Sequence, residues 1–210
     1  MSARKPAGTH LEQIEVGSAE DLRDWLGANS HRTESVWIVS GRKGKPGYVA
    51  ASDFVDEALC FGWIDSLPRK LDEARTMRLL SPRRRGSAWS KVNKEKAEKL
   101  IAEGRMTAAG QARIDEAKTD GSWDALNEVD ALLVPADLAA ALAAVPAAAG
   151  YFAAFPPSSR RGILEWIGAA KTPETRARRI ADTVAKASRN IKANHPAGRD
   201  AGPGGIVPEP

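Results

Sequence analysis

The residues with the greatest capacity for chemistry in this sequence lie close together between positions 63 and 93. They combine flat aromatic surfaces, one carboxylate, an arginine and short polar side chains: Trp63, Asp65, Ser66, Arg83, Ser87, Trp89, Ser90, Lys91 and Asn93. An arginine can hold a carboxylate or a phosphate through two parallel hydrogen bonds, and tryptophan adds a large rigid contact surface. The pattern predicts a pocket for a small anionic ligand.

Asp65 is the candidate catalytic residue of this group. It follows Trp63 by two positions, so both side chains face the same side of a strand. A guanidinium beside Asp65 would keep the carboxylate ionised, so it could act as a base but not as an acid. One interpretation is therefore an enzyme in which Asp65 is the base and Arg83 the anion clamp. The other is an internal network in which these two side chains pair and the tryptophans belong to the core. Both interpretations place Asp65 close to Arg83.

Basic side chains are concentrated in two zones of the chain. Residues 69–91 carry eight basic against two acidic side chains, and residues 171–192 carry seven against two, although the net charge is only +4. Two basic zones on an otherwise acidic chain indicate an anionic partner. Arginines beside an exposed Trp89 could also bind nucleic acid, but no recognised reading motif is present, so nucleic acid is the least favoured partner.

Metal, cofactor and redox chemistry find little support in the sequence. His10, His31, His195 and the single cysteine, Cys60, lie far apart and show no metal-ligand spacing. The basic, glycine-rich run 41–47 does not match a phosphate-binding loop, which favours an ordinary turn. We therefore predict no metal and no cofactor. One cysteine cannot form an internal disulfide, and neither a secretory signal nor a membrane-span pattern is found, which predicts a cytoplasmic protein.

The elements that must position these residues form an α+β pattern. Ser35–Ser40 is β-branched and aromatic, as in a strand. After Gly62 the pattern switches to period two, which predicts antiparallel strands at Trp63–Leu71 and Arg75–Leu80. Helices are predicted from caps at Ser18 and Ser52, and further helices at the following ranges: Lys91–Glu103, Thr107–Asp120, Pro135–Ala144, Pro146–Phe155, Ser158–Ala170 and a last one capped by Thr172. The fold class is thus α+β: a small antiparallel sheet packed by helices, followed by a C-terminal helical part.

The composition divides the chain into four segments. Residues 1–15 are predicted to be a disordered leader, and the Pro/Gly-rich residues 193–210 a disordered tail. Residues 16–124 form the α+β part with the Gly-Trp-Ile-Asp-Ser motif, and residues 134–192 form the helical part. These two parts are either separate domains or one compact domain. In the last helix, Ile180, Val184 and Ala187 share one face and are predicted to point inward.

Several motifs, in order, carry a resemblance to a known family. The run 57–66, Glu-Ala-Leu-Cys-Phe-Gly-Trp-Ile-Asp-Ser, resembles the hallmark of the YdeI/OmpD-associated (OmdA) family of bacterial proteins, also called bacteriocin-protection. The similarity continues through Ser-Pro-Arg at 81–83, Trp-Ser-Lys at 89–91, Val-Pro at 134–135 and Glu-Thr-Arg at 174–176, and it covers roughly residues 16–190.

The resemblance implies a role in stress or antimicrobial-peptide resistance, and it assigns no catalytic residue. Three functions stay open at this point. They are a non-enzymatic resistance factor that binds an anionic partner, an enzyme acting on a small anionic substrate, and a non-specific nucleic-acid-binding protein.

Overall fold

A computed structural model describes residues 11–66 and 68–194, which form two compact units that meet in sequence between Ala125 and Leu126. The first unit holds a small five-stranded sheet with helices, and the second is helical. The predicted α+β class is confirmed. No helix within the described ranges is both long enough and apolar enough to cross a membrane.

The sheet is mixed rather than wholly antiparallel. Its strands are β1 (Gln13–Glu15), β2 (Val36–Gly41), β3 (Trp63–Asp65), β4 (Arg69–Lys70) and β5 (Arg75–Pro82). The order is β1-β2-β5-β3, with β4 also on β5, and only the β1–β2 pair is parallel. The predicted strand over residues 63–71 is divided into β3 and β4. Pro68 lies between them, and proline cannot donate a hydrogen bond to a ladder.

The N-terminal end of the described chain differs from the prediction. Strand β1 lies inside the predicted disordered leader, so that prediction was wrong for Gln13–Glu15. Three residues are too few to show a period of two, and pairing with β2 places them in the sheet. Residues 1–10 lie outside the described residues. At the other end of the chain Ala193 is buried, and residues 195–210 lie outside the described residues.

Four helices complete the first unit: α1 (Ala19–Asn29), α2 (Ala51–Cys60), α3 (Lys91–Ala102) and α4 (Ala108–Asp120). Helix α2 contributes to two cores. Phe54 and Ala58 pack with α1 and one face of the sheet, while Leu59 and Cys60 pack with α3 and α4. Ser18 caps α1 as predicted. The predicted cap at Ser52 is wrong, because α2 begins one residue before it and its N-cap is Ala50.

The second unit contains five helices among its described residues: α5 (Asn127–Asp130), α6 (Ala136–Ala143), α7 (Pro146–Ala154), α8 (Pro157–Gly168) and α9 (Pro173–Ala187). The Thr172 hydroxyl accepts a hydrogen bond from the Thr175 backbone N–H at 3.2 Å, which confirms the predicted cap of the last helix. Ile180 and Ala187 are buried in the core of this unit, and Val184 packs against it, so the predicted inward face is confirmed.

Candidate anion-binding site

The helix-covered face of the sheet changes from apolar to polar along β2 and β5. Side chains directly opposite each other share a face, and three such pairs lie on this one: Val36 with Leu80, Ile38 with Arg78, and Ser40 with Thr76. The first pair and Ile38 are fully buried in the core. The polar members lie at the end of the sheet where α2 begins, so the helix–sheet layer becomes hydrophilic at that end.

A cavity of about 230 Å³ lies at this polar end. Its wall includes three cationic side chains and three hydroxyl groups: Arg42, Lys43 and Arg78, with Ser40, Tyr48 and Thr76. Among the described residues that line it, no side chain carries a carboxylate. The wall therefore presents cationic and hydroxyl groups to the cavity.

Arg78 is held in place at this cavity by one edge of its guanidinium. Its Nη1 donates to the Asp65 carboxylate at 2.5 Å and to the Ser66 carbonyl at 3.3 Å. The group also lies over the Phe54 ring, 5.5 Å from the centroid. Among the described residues no acceptor contacts its Nε or Nη2. Arg78 is thus oriented by Asp65 while two of its nitrogens remain available to a ligand.

The N-terminus of α2 contributes to the same wall. Ala50 gives the helix no side-chain cap, and Ala51 lines the cavity. Backbone N–H groups at the start of a helix lack internal partners and favour anions. Ser40 faces this region with only 4% of its surface exposed, and its hydroxyl has no hydrogen-bond partner within residues 11–66 and 68–194. The helix start and the Ser40 hydroxyl thus line one cavity.

The turn after β2 supplies the rim of the cavity. Arg42 is 44% exposed at its side chain and lies 3.9 Å from the Glu73 carboxylate. Lys43 is exposed, and it forms no ion pair in the part of the chain that the structure describes. Sequence reasoning interpreted this basic run as an ordinary turn and did not select Arg78. The available signal was that the basic run lies between the end of a predicted strand and the start of a predicted helix.

The predicted pairing of Asp65 with Arg83 is wrong. The β3–β5 register places Asp65 opposite Leu80, while the Arg83 backbone N–H donates to the Gly62 carbonyl. Asp65 therefore reaches Arg78, which lies on the same sheet face. Of the predicted site residues, only Asp65 and Ser66 form described hydrogen bonds with Arg78.

The other predicted site residues take different positions. Trp63 and Trp89 are each 1% exposed and belong to the core. Ser90 caps α3 by accepting from the Asn93 backbone N–H at 3.4 Å. Lys91 is exposed and lies 3.8 Å from the Glu95 carboxylate. Ser87 lines a second, much smaller cavity together with Arg83.

Arg83 itself is a buried cation. It is 3% exposed, and its guanidinium lies 3.8 Å from the centroid of the Trp89 ring. Nη1 donates to the Ala88 carbonyl at 3.3 Å, while Nε and Nη2 are buried without an acceptor. Burial lowers the pKa of Arg83 to about 10, so the side chain stays protonated at neutral pH.

A buried ion-pair cluster on α2 was missed by sequence reasoning. Glu57, whose side chain is 5% exposed, accepts from Arg23 at 2.8 Å and from Arg105 at 2.6 Å. The sequence signal for this cluster was the position of Glu57, three residues after Phe54 and on the inward face of α2. The cluster connects α1, α2 and the segment before α4. Burial raises the pKa of the neighbouring Cys60 thiol, which disfavours this cysteine as a nucleophile.

The geometry defines an α+β unit with a basic cavity, followed by a helical unit. Residues 131–190 match the family model described as "Bacteriocin-protection, YdeI or OmpD-Associated", which confirms the predicted resemblance over that segment. Residues 14–113 match a different model, described as a domain of unknown function (DUF8412). The run 57–66 and the basic cavity lie within this second segment. No curated protein and no solved structure matches the chain.

Proposed function

We propose that this chain binds a small oxyanion in the cavity at the start of α2, with Arg78 as its principal ligand-binding residue. The observation that carries the proposal is the combination of three cationic side chains with the free hydroxyl of buried Ser40 around one cavity of about 230 Å³. Drug-sized ligands occupy about 300–1,000 Å³. The ligand is therefore small, such as phosphate, a short phosphate ester or a small carboxylate.

Each residue of the proposed site has its own role in binding. Arg78 offers the two nitrogens that Asp65 leaves unused, which matches the two oxygens of a phosphate or carboxylate. The Ser40 hydroxyl donates from the buried side, and the backbone N–H groups at the exposed start of α2 donate from the solvent side. Arg42 and Lys43 at the rim attract anions from solvent. In this proposal Asp65 is a positioning residue for Arg78 and takes no proton from the ligand.

The wider role in this proposal is cytoplasmic and protective. The family matched by residues 131–190 carries bacteriocin protection in its description, and we extend that role to this chain. The anion-binding unit would then act as the ligand-responsive part of a resistance factor. Survival of a deletion strain under bacteriocin challenge tests this step, since rescue by the wild type and not by Arg78→Ala links the cavity to protection.

Titration calorimetry at fixed ionic strength tests the binding itself, with phosphate, sulfate, acetate and citrate as probes. Hydrogen bonds to a charged group contribute about 1.5–3 kcal/mol, so Arg78→Ala should raise Kd for the best probe by about 10- to 100-fold. Arg78→Lys keeps the charge without the planar fork and should recover only part of the affinity.

Arg84→Ala is the matched control, because Arg84 is an exposed arginine outside the cavity wall. It should bind like the wild type. The proposal is wrong if none of the four probes binds at millimolar concentration, or if Arg78→Ala and Arg84→Ala weaken binding equally.

A further inference from the structure

The second cavity, beside Arg83, is of a different kind. Its volume is about 10 Å³, roughly the space that one water molecule needs. It lies between the segment after β5 and the C-terminal end of α4, and Arg84, Arg85, Trp89 and Arg113 contribute to its wall. A phosphate or a carboxylate is too large for it, so it is separate from the oxyanion site at Arg78.

The charge of Arg83 is unbalanced at short range. Its buried Nε and Nη2 have no acceptor, and its burial is almost complete. Moving an isolated ion out of water carries a large free-energy penalty unless a counter-charge or several hydrogen bonds compensate it. The lowered pKa of this group has burial as its cause, in keeping with a cation that has no close carboxylate.

Two carboxylates line the same cavity, and both are engaged elsewhere. Glu116 pairs with Arg113 at 2.8 Å. Asp120 accepts from the Gly86 backbone N–H at 3.1 Å and from the Ser122 backbone N–H at 2.9 Å. Among the described residues no carboxylate oxygen lies within 4 Å of the Arg83 guanidinium. The wall holds four arginines against these two carboxylates, so it remains positive.

We propose that this cavity binds one monatomic anion of the chloride class as the counter-ion of Arg83. Such an ion accepts from Nε and Nη2 and also neutralises the charge, whereas water does only the first. The Trp89 ring covers one face of the guanidinium and leaves its nitrogen edge to the ion. Chloride is larger than water, so in this proposal the exposed segment Arg84–Gly86 shifts outward to admit the ion.

Thermal unfolding tests the site when chloride is exchanged for gluconate at constant ionic strength, because gluconate is too large to enter. An ion that binds only the folded state raises the unfolding midpoint, and we expect a rise of about 2–4 °C in chloride. Arg83→Gln should abolish the difference between the two salts. Arg178→Ala, at an exposed arginine outside this cavity wall, should preserve it. Equal salt dependence in Arg83→Gln and the wild type would overturn the proposal.

Bromide provides a second test that needs no variant, in case Arg83→Gln fails to fold. Crystals of the wild-type protein soaked in bromide should show an anomalous peak within hydrogen-bonding distance of Arg83 Nε and Nη2. A bromide-soaked crystal with no peak in this cavity would overturn the proposal. Neither test involves the Arg78 cavity, so this site and the proposed oxyanion site can fail independently.

Discussion

Arg78 and Arg83 lie five residues apart and have opposite environments. Each guanidinium lies over an aromatic ring, at 5.5 Å for Arg78 and 3.8 Å for Arg83. Arg78 has a carboxylate partner and opens onto a cavity of about 230 Å³. Arg83 has no such partner within the described part of the chain and borders a cavity of about 10 Å³. A carboxylate partner thus orients an arginine beside a cavity with room for a ligand, whereas the arginine buried without one borders a space of the size of a water molecule.

Replacing each arginine by methionine should change stability in opposite directions, and this is the largest effect that we expect. Removing a poorly compensated buried ion in favour of an apolar side chain is often stabilising by about 1–4 kcal/mol. Arg83→Met should therefore raise the free energy of unfolding in chloride-free buffer. Arg78→Met should lower it by about 1 kcal/mol, because Asp65 loses its partner. Urea unfolding measures both changes.

The stability difference between Arg83→Met and the wild type should depend on pH. Burial lowers the pKa of Arg83 from its ordinary value to about 10 in the folded protein. The unfavourable contribution of the buried charge is therefore fully present below pH 10. It declines as the pH rises above about 10, because the folded protein then releases the proton before the unfolded chain does. The advantage of Arg83→Met should be constant below pH 10, and destabilisation by this substitution would contradict the comparison.

The sequence could predict the fold better than the site, for a physical reason. Periodicity and caps depend on neighbouring residues, so β2, β5 and most helices follow from local patterns. The choice of the arginine that pairs with Asp65 depends on register. A strand register that places Asp65 opposite Leu80 decides that Arg78 receives the carboxylate, and no local pattern encodes that choice. Strand β1 was missed for a similar reason. Its three residues belong to the sheet because they pair with β2, and local sequence does not encode that pairing.

Tryptophan also has an ambiguous meaning in a sequence. Trp63 and Trp89 stand next to polar residues, which favoured an exposed site, yet both are buried. The basic turn at 42–43 showed the reverse problem. It matched no phosphate-binding motif, and its connection with the cavity becomes visible only when the start of α2 and the polar pairs of the sheet are assembled in three dimensions.

Ser40→Ala gives an intermediate effect and tests the buried side of the Arg78 cavity. A hydroxyl that bonds to the ligand contributes about 1 kcal/mol, so Kd for phosphate should rise about fivefold. Stability without ligand should change little, because this hydroxyl has no hydrogen-bond partner among the described residues. Ser35→Ala is the matched control, since the Ser35 hydroxyl bonds Ser81 at 2.7 Å outside the cavity wall. Equal phosphate affinity of Ser40→Ala and the wild type would exclude Ser40 from the site.

The smallest effect on stability is expected from an exposed ion pair between an arginine and an aspartate in the helical unit. Arg176 donates to both oxygens of Asp137, at 2.6 and 2.9 Å, and this bonding lowers the pKa of the Asp137 carboxyl. The Asp137 side chain is 46% exposed, so solvent screening should limit the pair to less than about 1 kcal/mol.

Because the folded-state pKa of Asp137 is lowered, its contribution is present above the ordinary carboxyl value of 3.8 and is lost as the pH falls through the lower folded value. Asp137→Asn should therefore lower stability slightly at pH 7 and equal the wild type in strong acid. Thermal unfolding of both proteins between pH 7 and pH 2 measures the difference. Glu128→Gln is the control, since Glu128 also lies in an exposed position in the first turn of a helix of this unit but forms no ion pair within the described residues. Asp137→Asn should change the free energy of unfolding at pH 7 by much less than Arg83→Met does. Changes of equal size would show that the burial of an arginine does not determine its contribution to stability.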